Sequence, residues 1–269
     1  MTDRAENDGL MAGKRGLIMG VANDRSIAWG IAQALHGAGA ELAFTYQDDA
    51  FGKRVKPLAE SLSARLVMRC DVEDSASLGS VFGQIGEAWG ALDFVVHAIA
   101  YSDKVELKGR YVDTTSANFR RTLRISCYSF TEVSRHAAAL MTNGGGLVTM
   151  TFSGAERVMP SYNVMGVAKA ALEASVRYLA VDLGNDGIRV NAISAGPMRT
   201  LAGAAISDGR YVYNFAQTHA PLRRNVTQEE LGGACLYLLS DLSGGVTGEI
   251  HHVDGGYNVI GMINPHSLD

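Results

Sequence analysis

Tyr162 and Lys169 stand seven residues apart in Ser161–Leu183, an alanine-rich, apolar segment whose pattern predicts a helix. Seven positions make about two helical turns, so both side chains share a face, roughly 10 Å apart along the axis. A phenol so placed can donate a hydrogen bond to an oxygen that gains negative charge during a reaction. A lysine beside it can hold sugar hydroxyls and, by its charge, lower the phenol's pKa. A half-buried tyrosine and a surface lysine would produce the same pattern, and the spacing alone leaves both readings open.

The elements that would position these residues alternate along the chain. Apolar runs of strand length occur at Gly16–Gly20, Glu41–Tyr46, Arg65–Arg69, Asp93–Ala98, Gly146–Thr151, Ile188–Ser194 and Glu249–Val253. Between them lie helical patterns at Ser26–Ala38, Phe51–Leu62, Ser75–Ala88, Thr115–Met141, Ser161–Leu183 and Thr227–Ser240. Ser26 and Thr227 are predicted N-caps, and Thr227 with Glu230 makes a capping box. Gly37, Gly39, Gly184 and Gly187 fall where helices should end. Continuous rather than alternating apolar strands, each followed by a helix, predict a doubly wound α/β fold with about seven parallel strands and helices on both faces. Ligands then bind at the carboxyl ends of the strands, near the switch in strand order.

The strand ends carry suggestive residues. Gly20 permits a sharp turn, and Ser26–Ile27 opens a helix whose free N–H groups could receive a pyrophosphate; an ordinary turn without ligand fits equally. Gly30 would let that helix pack close to the sheet. Tyr46-Gln47-Asp48-Asp49 follows the second strand. Gln47 can bond ribose hydroxyls and the aspartates would repel a phosphate, which favours NADH over NADPH. Asp71-Val72 could hold an adenine edge, or Asp71 could be an N-cap or Asx turn. The small residues of His97-Ala98-Ile99-Ala100 suit either a flat ring or close helix packing. Residues 1–12 read as a flexible polar tail and 13–269 as one Rossmann-type dinucleotide-binding and catalytic domain.

Composition narrows the classes. A net charge of -4 argues against nucleic-acid binding by bulk positive charge. Three dispersed cysteines with no CxxC spacing indicate neither a disulfide framework nor a zinc site, and point to a reducing cytoplasm. Neighbouring His251 and His252 on a strand would face opposite sides, so no metal is expected. No apolar run is long enough to span a bilayer and the N-terminus lacks a secretory h-region, so no membrane association is expected.

The stretch GAERVMPSYNVMGVAKAALEASVRYLA, followed by GIRVNAISAGPMRTLA, resembles the NADH-dependent enoyl-acyl-carrier-protein reductases of type II fatty-acid synthesis, within the short-chain dehydrogenase/reductase superfamily. SIAWGIAQALHGAGAELAFTYQ and SDLSGGVTGEIHHVDGGY extend the likeness from Gly13 to about Met262. The wider superfamily places its lysine four residues after the tyrosine; that position here is Gly166, and the seven-residue spacing marks the enoyl reductase branch. The resemblance implies that Tyr162 hydrogen-bonds the thioester carbonyl and Lys169 the nicotinamide ribose. It implies cofactor contacts at Gly20, Ser26, Ile27, Gln47, Asp71, Val72 and Ile99, and at Met198, Arg199, Thr200, Leu201 and Ala202. It also implies that Ser102 approaches substrate, that the substrate rides on acyl-carrier protein, and that the enzyme is a homotetramer.

One departure stands out. The family usually carries a second tyrosine ten residues before the first; here that position is Phe152, which keeps a ring against the substrate without its hydroxyl. Residues 197–214 read either as a core-facing helix or as an apolar lid, and the resemblance favours the lid. Arg199, Arg210, Arg223 and Arg224 form either a basic patch for an acidic carrier or scattered surface charges. Two alternatives compete with the reductase: a carbonyl or alcohol dehydrogenase on the same fold, and a low-activity paralogue serving as a dinucleotide-binding scaffold.

Overall fold

A computed structural model describes residues 9–201, 203 and 208–262. Seven parallel strands form one sheet in the order β3-β2-β1-β4-β5-β6-β7. They are β1 (Arg15–Met19), β2 (Glu41–Tyr46), β3 (Leu66–Arg69), β4 (Phe94–His97), β5 (Gly145–Thr151), β6 (Ile188–Ala195) and β7 (Ile250–Val253). The order reverses between β1 and β4, which opens a crevice at their carboxyl ends.

Alternate residues of each strand feed two cores. Leu17, Met19, Val95 and Leu147 pack beneath α3 (Ser75–Trp89), α5 (Ser129–Ala138) and α6 (Asn163–Leu183). Ile18, Phe44, Phe94 and Val148 pack beneath α1 (Ile27–Gly37), α2 (Asp49–Ser61) and α8 (Gln228–Leu239). With both faces covered, the strands have no polar side to display, and their continuous apolar runs follow.

Several local expectations change. The helix expected over Thr115–Met141 is α4 (Ser116–Leu123), a π-helical turn at Arg124–Tyr128, and α5. Ser26 sits at the N-cap of α1, but its hydroxyl turns back to accept from the Ala22 and Asn23 N–H groups at 2.9 and 3.1 Å, shaping the turn instead of capping the helix. Gly30 faces α8, not the sheet: a Cβ there would lie 2.6 Å from that of Gln228. Thr227 and Glu230 do form the capping box. Residues 9–12, assigned to the tail by their polarity, close over the end of α1. Met11 is buried and its N–H donates to Ala38 O at 2.9 Å.

The α1–α8 contact bears on the site as well as on stability. Gln228 Nε2 donates to Ser26 O at 2.7 Å and to Asp24 O at 3.2 Å, fastening the β1–α1 turn from the far end of the chain. Gly30→Val should therefore cost about 1–3 kcal/mol through overpacking, lowering the melting temperature, and should also weaken dinucleotide binding. Gly79→Ala, in open space on α3, should be neutral or stabilise by roughly 0.5–1 kcal/mol. Thermal melts and a dinucleotide titration check the pair.

Candidate active site

A cavity of about 600 Å³ opens at the carboxyl ends of β1, β4, β5 and β6. Its walls bring together the β1–α1 turn (Gly20, Ser26, Ile27), the β4 exit (Ile99, Ser102), the end of β5 (Thr151, Phe152), α6 (Tyr162, Lys169) and the β6 exit (Met198, Thr200, Leu201). Gln47, Asp71, Val72 and Arg199 do not line it, and Ala202 lies outside the described residues. The Asp71 carboxylate accepts from the Glu73 N–H at 2.9 Å, an Asx turn, while Asp74 caps α3.

Gly20 makes the first wall possible. Its φ is +99°, and a Cβ would lie 2.1 Å from Ala98 O. Only glycine satisfies both conditions, so the β1 exit can pass directly beside the β4 exit.

Tyr162 is placed by strain. It is the N-cap residue of α6, between Ser161 and Asn163, whose φ values are +53° and +34°. Left-handed backbone at two non-glycine residues is costly and persists only when surroundings impose it. Asn163 Nδ2 donates to Glu106 O and Gly109 O, each at 3.3 Å, and the Ser161 hydroxyl donates to Asp208. The Tyr162 ring fits against Gly154, where a Cβ would lie 2.4 Å from it, and meets Phe152 edge-on at 5.2 Å between centroids.

Burial pushes the Tyr162 phenol well above its usual pKa, and the Glu173 carboxylate adds to the shift. The lowering by Lys169 expected from the sequence is not among the causes; removing a phenolate from water dominates. Tyr162 is therefore a hydrogen-bond donor at neutral pH. Burial lowers Lys169 to about 8, and its Nζ donates to Met150 O at 2.8 Å.

The glycine four residues after Tyr162 now has a reason. A Cβ on Gly166 would lie 2.7 Å from Gly154 O, so no lysine fits there, and the cation reaches the cavity from position 169.

Polar groups behind the cavity fix the β4 exit. The Ser102 hydroxyl accepts from Thr122 at 2.9 Å and Asn118 at 3.2 Å. Ser126, in the π-helical turn, both accepts from Tyr101 N–H and donates to Tyr101 O, at 2.9 and 3.0 Å. His97 is fully buried, bonded to Ser129 at 2.9 Å and Thr149 at 3.1 Å; burial, then the Lys169 charge, lowers it to about 3, so it stays neutral. Sequence reasoning did not single out Asn118, Thr122, Ser126 or Thr151. For the first three the only signal was position on a helix facing a strand end; Thr151 is the last residue of β5.

The segment after β6 supplies a further wall. Residues 209–214 begin α7 (Gly209–His219), where Val212 lines the cavity and only Ala216, further on, is buried, so this part is helical without facing the core. Ala204, Ala205 and Ile206, also assigned to the lid, lie outside the described residues. Arg199 stacks on Tyr213 at 4.5 Å and joins Arg25 and Arg210 around a second cavity of about 510 Å³. Arg224 pairs with Glu230 at 2.8 Å and Arg223 donates to Thr218 O, so these two are already engaged.

A family model described as enoyl-(acyl carrier protein) reductase matches residues 20–258. The NADH enoyl-acyl-carrier-protein reductase 2 of Rhizobium meliloti is 65% identical over 255 residues, 95% of this chain and 95% of that protein. The chain belongs to the enoyl-acyl-carrier-protein reductase family. Among solved relatives, the reductase of Anaplasma phagocytophilum, crystallised with NAD, has a TM-score of 0.92 and 60% identity, covering 95% of this chain and 98% of that one. FabI of Candidatus Liberibacter asiaticus has a TM-score of 0.94 and 55% identity, with 95% and 99% covered.

Within this reductase the lysine position is dictated by packing, and that can be tested. Moving the lysine to the superfamily position, as Gly166→Lys with Lys169→Ala, should not restore activity. Gly166→Ala alone should lower the melting temperature and activity together, because Gly154 and the Tyr162 ring must shift. Steady-state rates and thermal melts of both variants, with Lys169→Ala as the reference, decide it.

Proposed function

We propose that this reductase reduces the trans-2 double bond of enoyl-acyl-carrier protein with NADH, the last step of each type II elongation cycle. The observation that carries the reading is Tyr162 and Lys169 on one wall of a cavity that also contains the amino end of α1. The dinucleotide fits the residues present: the α1 terminus and the Gly20–Ser26 turn suit a pyrophosphate, and Lys169 offers a cation to ribose hydroxyls. Bound there, NADH supplies the hydride that reduces the β-carbon of the enoyl thioester.

The protein's own groups do the rest. Tyr162, protonated because it is buried, donates a hydrogen bond to the thioester oxygen as that oxygen gains enolate character. Lys169 orients the cofactor through the nicotinamide ribose. Gly20, Ser26, Ile27, Ile99, Met198, Thr200 and Leu201 form the cofactor's bed; Gln47, Asp71, Val72 and Arg199 serve its adenosine and pyrophosphate edges from outside the main cavity. Ser102 and Phe152 face the substrate. Leu107, Met159 and Met165 make the far wall apolar, as an acyl chain requires.

Arg199, Arg210 and Arg25 give the entrance positive charge for an acidic carrier protein. The chain acts as one catalytic domain, since both halves of it line one cavity. Exposed Tyr128, Tyr178 and Val181 on the π turn and α6 suit subunit packing in a homotetramer working in the cytoplasm. No helix among the described residues is long and apolar enough to cross a membrane.

Consumption of NADH on adding a trans-2-enoyl thioester is the test. No oxidation above background across chain lengths, or turnover of ketones alone, would sink the reading in favour of a scaffold or a carbonyl reductase. Tyr162→Phe should lower kcat about 10²–10³-fold with little change in NADH binding. Phe152→Tyr should keep kcat near the parent value and alter KM for the thioester.

A further inference from the structure

Lys169 carries a charge into a dry wall. It is 6% exposed, and among the described residues no carboxylate forms an ion pair with it. A buried ammonium without a counter-charge gives up its proton. Glu173, four residues further along α6, is the next side chain on that face and is itself 7% exposed. Thr151 Oγ1 donates to Glu173 Oε1 at 2.7 Å, just as Lys169 Nζ donates to the carbonyl of the preceding residue, Met150. Successive turns of α6 thus hold successive residues of β5.

We propose that Glu173 is a positioning residue whose carboxylate is the counter-charge keeping Lys169 protonated in the cofactor pocket, with Thr151 holding that carboxylate in place. The inference deepens the proposed function, because it rests on Lys169 as the group that holds the cofactor ribose. The other titratable groups facing Lys169 carry no charge in the working range. His97 on β4 is neutral. The thiol of Cys127, on the π-helical turn, is pushed up by burial and remains protonated, as does the Tyr162 phenol. Burial pushes Lys169 down to about 8; Cys127, once ionised, and then the Glu173 carboxylate oppose that fall. Burial pushes Glu173 up; the Thr151 hydroxyl opposes this by donating to the carboxylate. Glu156, from the loop after β5, disfavours the charge, while Arg177 on α6 and His252 on β7 favour it.

A purely structural Glu173 would behave differently. The amide of a glutamine accepts the same bond from Thr151, so Glu173→Gln would leave α6 fastened and Lys169 unaffected. As a counter-charge, Glu173 is lost in that variant, and Lys169 deprotonates at a lower pH.

The chain has six lysines, of which only Lys169 is buried. Carbon-13 labelling at lysine Cε in the full-length protein therefore allows a direct NMR titration, with the Lys169 signal assigned by its absence in Lys169→Met. In the parent protein that signal should titrate near pH 8. In Glu173→Gln the midpoint should fall by roughly one pH unit, and in Glu173→Asp it should return most of the way. The alkaline limb of kcat/KM for NADH should move with it. An unchanged Lys169 midpoint in a folded Glu173→Gln protein overturns the proposal. If that variant does not fold, Thr151→Val, which leaves α6 intact, should lower the midpoint in the same direction, and an unmoved midpoint there overturns it equally. The titration needs neither cofactor nor substrate. A shifted midpoint in a protein that fails to turn over enoyl thioesters would uphold the counter-charge and defeat only the reductase reading.

Discussion

The Lys169 ammonium lies 2.8 Å from the Met150 carbonyl, and the Thr151 hydroxyl lies 2.7 Å from the Glu173 carboxylate. These two bonds join α6 to the carboxyl end of β5, near the middle of the sheet. The placement of Tyr162 and Lys169 in the cavity wall follows from that junction. With α6 fixed, its first turn must begin close against the residues after β5, which is why Gly154 and Gly166 are both needed and why the backbone on either side of Tyr162 is strained. A tyrosine held this way has little freedom to reorient, so its hydroxyl is aimed before any ligand arrives.

The crevice beside it is built by distant parts of the chain. The β1–α1 turn is held by Gln228, more than two hundred residues away, and the β4 exit is held by Ser102, Ser126 and the groups behind them. The π-helical turn belongs to this second support. It shifts the register of the helix so that Ser126 meets the Tyr101 backbone while Ser129 meets His97. Such bulges recur at functional sites because they re-aim side chains without ending the helix.

Membership of the enoyl-acyl-carrier-protein reductase family sets the reaction class, while the cavity sets how this chain departs from its relatives' usual pattern. Phe152 places an aromatic edge against Tyr162 but offers no second hydroxyl. The arginines read from the sequence as one group separate in space. Arg223 and Arg224 are engaged locally, whereas Arg199 and Arg210 meet Arg25, which the sequence places far from them.

The sequence by itself determined the sheet, most helices, the capping box and the pairing of Tyr162 with Lys169. Each depends on short-range pattern: continuous apolar runs where two faces are covered, a side-chain oxygen three residues before its partner, seven positions on one helix. Only the tertiary structure decided the rest. Gly30 reads as a sheet contact until α8 is seen to cross it. Thr115–Met141 reads as one helix until contacts with the β4 exit impose the π turn. The turn made by Asp71 is visible only when its carboxylate is found on Glu73 N–H. The sign of the Tyr162 shift depended on burial, a property of everything packed around the ring, from Met165 nearby to Leu107 far away in the chain. Local pattern fixes which backbone forms: a helix through its own local hydrogen bonds, a buried strand through an apolar run that suits two covered faces. Desolvation and close approach are set by partners far away in sequence.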